Sequence, residues 1–124
     1  IAHIAGLSSP MAACVLDGMA GDWLEEPLFT LLEAEFGDPR VLDDFVSTAP
    51  GASRTRAFGP ELTFHVFSGN VPGVSVTSLI RALLVKSASL AKTAAGEPVL
   101  APLFARALAE EDAGLGSCLA VTYW

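Results

Sequence analysis

The sequence predicts an α/β chain in which a helical segment over residues 1–57 leads into a βαβαβ unit over residues 58–124. Three observations carry this. Apolar residues recur at helical spacing through the first third, the period changes after Gly59-Pro60 to short β-prone runs, and helical patterns long enough for a parallel return separate those runs.

Ser8-Ser9-Pro10 reads as a helix entry, with serine as N-cap and proline at the first helical position. Met11 to Met19 then supplies a short apolar helix ending near Gly21. After Asp22 the chain restarts at Trp23. Leu24, Leu28, Leu31, Leu32 and Phe36 repeat at helical spacing, and Gly37 is a suitable C′ residue. Pro27 is either tolerated near the start of this helix or splits it in two. Asp38-Pro39 opens another short helix through Phe45, with Val41, Leu42 and Phe45 inward. Ala49 to Arg56 is a loop by composition, and its Arg54 and Arg56 read as a solvated linker, the alternative being a phosphate contact.

Leu62 to Phe67 is a nearly continuous apolar run, expected as a strand buried on both faces of a parallel sheet. Val74 to Lys86 places Val76, Leu79, Ile80, Leu83 and Leu84 on one helical face, with Arg81 opposite and Lys86 a solvated charge at the helix end. Ser87 to Lys92 is the second strand. From Pro98 a helix repeats Leu100, Leu103, Phe104, Ala107 and Leu108, with Glu97 as a possible N-cap. Glu110-Glu111-Asp112 ends this helix unfavourably for its dipole, Gly114 and Gly116 make a turn, and Ser117 to Tyr123 is the third strand. With right-handed crossovers this order gives a Rossmann-like, nucleotide-binding type of sheet. No Gly-x-Gly-x-x-Gly fingerprint follows the first strand, so an ordinary Rossmann dehydrogenase site is not supported.

At 124 residues, 52% hydrophobic and 17% charged, the chain suits one packed domain. It starts at Ile1 and stops at Tyr123-Trp124 inside an expected strand, so it is expected to be an excerpt of a longer protein, truncated at both ends. The net charge of −7 is uneven: residues 1–50 carry nine acidic groups and one basic, residues 51–124 five and six. Such a chain is a poor nucleic-acid ligand, because phosphate affinity needs clustered Lys and Arg. Arg81, Lys86 and Lys92 interrupt the most hydrophobic region, so no membrane span is expected, and no cationic leader is visible. Cys14 and Cys118 lack metal spacing and a disulfide-rich context, so no metal site is expected. They read as buried structural thiols in a cytoplasmic protein.

The most informative stretch is the junction between the first strand and its helix. The apolar run stops at Ser68-Gly69, the amide of Asn70 follows, and Pro72-Gly73 turns the chain before the helix. Ligands of open α/β sheets sit at such carboxyl strand ends, the alternative being a plain connecting turn. Phe64 to Gly73, Leu79 to Thr93, and Pro98 resemble the LuxC-type fatty acyl-CoA reductases, a branch of the aldehyde dehydrogenase superfamily, which binds its dinucleotide without the glycine fingerprint. The similarity is dense from about Phe58 to Trp124 and thinner before it.

That resemblance implies part of an aldehyde dehydrogenase-like fold and the reduction of fatty acyl-CoA to aldehyde with NADPH through a thioacyl-enzyme. It gives Asn70 the oxyanion-stabilising role; the alternative is an amide that satisfies turn backbone. Lys92, 22 positions later, matches the lysine that binds the adenosine ribose, with Thr93 and Ala95 beside it among the cofactor-binding positions. Ser68 and Gly69 would line the nicotinamide side through their backbone. NAD-preferring members keep a glutamate where Ala95 stands, and its absence here permits NADPH. The nucleophilic cysteine of the superfamily lies over a hundred residues beyond the asparagine, so neither Cys14 nor Cys118 matches it, and the chain alone is expected to be inactive. His65, mid-strand, reads as a hydrogen-bonded core histidine rather than a base. The implied partners are acyl-CoA or an acylated partner protein, with a homo-oligomer and acyl-transferase or synthetase subunits as further possibilities. Rival readings are an aldehyde dehydrogenase running oxidatively, an acyl-phosphate reductase, and a non-catalytic nucleotide-binding module.

Overall fold

The computed structural model describes every residue except 1, 4, 5, 48, 52, 70 and 72. Helix α1 (Ser9–Gly21) starts where the Ser8 hydroxyl accepts a hydrogen bond from Met11 N at 3.3 Å, which places Pro10 second in the helix rather than first. Helix α2 (Glu25–Phe36) carries Glu25 and Glu26 in its first turn, where negative charge suits the helix dipole, and ends at Gly37 with φ 72°. Pro27 sits inside that first turn, where no intrahelical donor is lost, so α2 is one helix.

The segment after Gly37 differs from the expected helix. Pro39–Leu42 is a single 3₁₀ turn that buries Val41 and Leu42 and leaves Phe45 exposed. The expected loop contains a two-stranded antiparallel ribbon, β1 (Val46–Ser47) with β2 (Arg54–Thr55). Arg54 is exposed, as a solvated charge would be, but it lies in β2 and its guanidinium donates to the Phe45 carbonyl, Nε at 3.1 Å. The Arg56 guanidinium lies 4.9 Å from the centroid of the Phe58 ring.

The second half is α/β. Strands β3 (Leu62–Val66), β4 (Ala88–Lys92) and β5 (Leu119–Thr122) form a parallel sheet in the order β3-β4-β5. Helix α3 (Val74–Leu84) joins β3 to β4, while α4 (Leu100–Glu111) and the short α5 (Ala113–Ser117) join β4 to β5. The core sits on one face of this sheet, where Leu79, Ala91 and Ala101 meet Phe67, Phe104, Leu119 and Val121.

Burial on both faces of β3 is overturned. Its residues alternate, with His65 buried while Leu62, Phe64 and Val66 are 58%, 54% and 68% exposed, because α3 and α4 pack against the opposite face. The helix faces match the expected ones in part, with Val76 and Leu79 buried and Arg81 exposed. Helix α3 buries Ser75, Val76, Leu79 and Ala82, so two small side chains let its backbone approach the sheet, and Ile80 and Leu84 are half-buried. Helix α4 buries Ala101 and leaves Leu103 exposed.

Helix α3 ends two residues earlier than its pattern suggests. Lys86 has φ 62° and closes a Schellman turn, its N–H bonding Leu83 O at 2.9 Å while Ser87 N bonds Ala82 O at 2.9 Å. Its exposed ammonium pairs with Asp43. The expected turn at Gly114 and Gly116 is helix α5, capped by Asp112, whose carboxylate accepts from Leu115 N at 2.9 Å. The charge that looked unfavourable for the end of α4 thus serves the start of the next helix.

Candidate functional site

The carboxyl ends of β3 and β4 are held together past the last strand residues, since Phe67 N donates to Lys92 O at 3.0 Å. Ser68 is exposed, and Gly69 presses against the turn that follows β4. A Cβ at Gly69 would stand 3.0 Å from Ala94 Cβ, 3.3 Å from Gly96 Cα and 3.4 Å from Glu97 N, closer than a side chain ordinarily fits. The turn after the first strand and the turn after the second therefore converge. Asn70 and Pro72 lie outside the described residues. Gly73, at φ 91°, caps α3 beside Met19 of α1.

Lys92 is the last residue of β4, half-buried on the face away from the core, opposite Val66 on one side and Thr122 on the other. Its ammonium donates to Thr93 O at 3.3 Å and lies 5.4 Å from the centroid of the Trp124 ring. Among the described residues no carboxylate comes within ion-pair distance of it. Thr93 points the other way and is buried, its N–H bonding Thr122 O at 2.9 Å and its hydroxyl donating to the same oxygen at 3.3 Å. That side chain fastens β4 to β5. Ala95 is exposed, whereas Glu97 is buried and its Oε1 accepts from Val99 N at 3.1 Å and Leu100 N at 2.8 Å. The expected N-cap position differs, since α4 starts at Leu100 rather than Pro98 and Val99 is its N-cap, but the Glu97 carboxylate still accepts from the first N–H groups of the helix.

His65 is a core residue. Its Nδ1 lies 3.1 Å from Ser78 Oγ and its Nε2 3.1 Å from Ser89 Oγ, on the sheet face that Lys92 does not share. Burial pushes its pKa below the ordinary histidine value. The cysteines depart from their expected burial: Cys14 is exposed on α1, and Cys118 is half-buried before β5, its thiol 3.5 Å from Gly114 O. Among the described residues no three His, Cys, Asp or Glu side chains form a cluster able to hold a metal ion, and no helix is long and apolar enough to cross a membrane.

The sequence profile described as Acyl-CoA reductase (LuxC) matches residues 1–124, the whole chain. The chain belongs to the acyl-CoA reductase (LuxC) family. It is similar to the long-chain acyl-protein thioester reductases of Photobacterium phosphoreum, Vibrio harveyi and Photorhabdus luminescens, with 29%, 27% and 30% identity over 99 residues. Those matches cover 78% of this chain and 20% of each relative, so the LuxC-family segment described here spans a fifth of the length of these relatives.

Within this LuxC-family segment the residue that the sequence reading passed over is Trp124, taken there as the end of a strand. A ring contact just past the strand places it. Lys92 stands opposite Thr122, the last residue of β5, and the Trp124 ring two residues on lies 5.4 Å from the Lys92 ammonium.

Proposed function

We propose that this chain forms the oxyanion arm and part of the cofactor crevice of a fatty acyl thioester reductase. The natural protein converts a long-chain acyl thioester, presented as acyl-CoA or on an acylated partner protein, to the aldehyde with NADPH. The observation that carries this reading is the seating of Gly69 on the Ala94–Glu97 turn, beside Lys92, at the carboxyl ends of neighbouring parallel strands. The residues there suit a phosphorylated dinucleotide. Lys92 offers N–H donors with no carboxylate partner among the described residues, Ala95 places no acid beside it, and the Glu97 carboxylate is committed to the first N–H groups of α4.

NADPH, when bound, supplies the hydride. The side chain of Lys92 holds the adenosine end through its ammonium. The Asn70 amide donates a hydrogen bond to the thioester oxygen as it gains negative charge, a contribution of roughly 3 kcal/mol to barrier lowering when such a donor is pre-organised. A cysteine thiolate elsewhere in the natural protein takes the acyl group as a thioester while the CoA thiolate leaves, and the same sulfur is released as the aldehyde forms. The exposed Cys14 on α1 and the Cys118 thiol on the Gly114 carbonyl stand outside that role.

Incubation of the natural gene product with a long-chain acyl-CoA and NADPH tests the reading directly. The expected result is one fatty aldehyde and one free CoA per NADPH oxidised, with faster turnover on NADPH than on NADH. Absence of aldehyde, or oxidation of added aldehyde outpacing thioester reduction, would overturn it in favour of an aldehyde dehydrogenase or a non-catalytic module.

A further inference from the structure

Val66, Lys92 and Thr122 are in register at the ends of three adjacent strands, on the face that α3 and α4 leave open, and the ring of Trp124, two residues past β5, lies beside Lys92. Val66 is 68% exposed and Trp124 67% exposed, while Lys92 is half-buried, with its ammonium 5.4 Å from the indole centroid. An aromatic ring holds a cation without neutralising it or consuming its N–H donors, as a carboxylate would. A large exposed indole beside a poised ammonium at a carboxyl strand end suits the two parts of an adenosine phosphate. The base has a π-face for the ring, and the ribose substituents have acceptors for the ammonium.

We propose that Trp124 is a cofactor-binding residue, the surface on which the adenine of NADPH stacks, and that the same ring positions Lys92 for the ribose and its 2′-phosphate. The inference rests on the cofactor reading of Lys92 given above. It adds a specific contact, from the residue two past β5, that neither the strand-turn motif nor the lysine spacing implies.

The test uses the natural gene product and three probes: NADPH, adenosine 2′,5′-bisphosphate and nicotinamide mononucleotide. Trp124 fluorescence, taken as the emission lost in Trp124→Phe, is expected to change saturably with NADPH and with adenosine 2′,5′-bisphosphate, and to stay constant with nicotinamide mononucleotide. In Trp124→Ala the dissociation constant for adenosine 2′,5′-bisphosphate rises about ten-fold, the scale of one base stacked on an aromatic ring. The Phe variant, which keeps a π-face, binds within about three-fold of the unaltered protein. Equal binding by Trp124→Ala and the unaltered protein, or an emission change with the nicotinamide probe alone, overturns the role of Trp124 and leaves the cofactor reading standing. Failure of the unaltered protein to bind any of the three probes overturns both.

Discussion

At the strand ends, the two faces of the sheet give neighbouring residues opposite electrostatic settings. Lys92 lies on the open face with its ammonium 5.4 Å from the centroid of an indole, whereas His65 lies on the covered face between two serine hydroxyls, where burial disfavours the imidazolium. The sign of the stability effect follows. The folded pKa lies below the unfolded value of 6.5, so as pH falls through and below that value the unfolded chain takes up a proton that the native state resists. The contribution of His65 is present above the unfolded pKa and is lost as pH falls towards the folded one. Denaturant midpoints at pH 7 and pH 5.5 are expected to show a larger loss for the unaltered protein than for His65→Gln, whose amide can bond both serines without titrating. Equal losses would contradict this account of His65.

At the scale of elements, what was legible in the sequence was local chemistry. Ser8 and Gly37 mark helix ends because a hydroxyl acceptor and a left-handed backbone are properties of single residues. The ribbon β1-β2 was hidden because two-residue strands have no period to detect, and α5 because Gly114 and Gly116 mimic a turn. The end of α3 was hidden by a lysine in a position that favours glycine. Relieving that conformation in Lys86→Gly is expected to stabilise the fold by about 1 kcal/mol, since the exposed pair with Asp43 that is lost contributes little. Gly59 meets the same helix end, where an added Cβ would stand 2.0 Å from Val85 O. Gly59→Ala should therefore destabilise by about 2 kcal/mol. Thermal or denaturant unfolding reads both changes, and opposite signs would contradict the packing described for this corner.

At the scale of the molecule, the alternation of strand and helix patterns made the parallel sheet legible, because parallel neighbours need a crossover of that length. Which face the helices cover was not legible. A run such as Leu62 to Phe67 is apolar throughout, and its exposed residues are distinguished by tertiary contacts alone. The candidate site divides in the same way. Lys92 and the turn after it stood out by motif spacing, while Trp124 enters only through a tertiary contact, its ring lying beside the Lys92 ammonium past the end of β5. The central claim is that the Asn70 amide and the Lys92 ammonium serve one reaction in different steps, the first on the thioester oxygen and the second on the cofactor. The decisive measurement is steady-state kinetics of acyl-CoA reduction for single substitutions in the natural protein, paired with NADPH binding. Asn70→Ala should lower kcat by about 10²-fold or more with NADPH affinity nearly unchanged, whereas Lys92→Ala should weaken NADPH about ten-fold and leave kcat at saturation nearly intact. Small and equal effects from both substitutions would contradict the account.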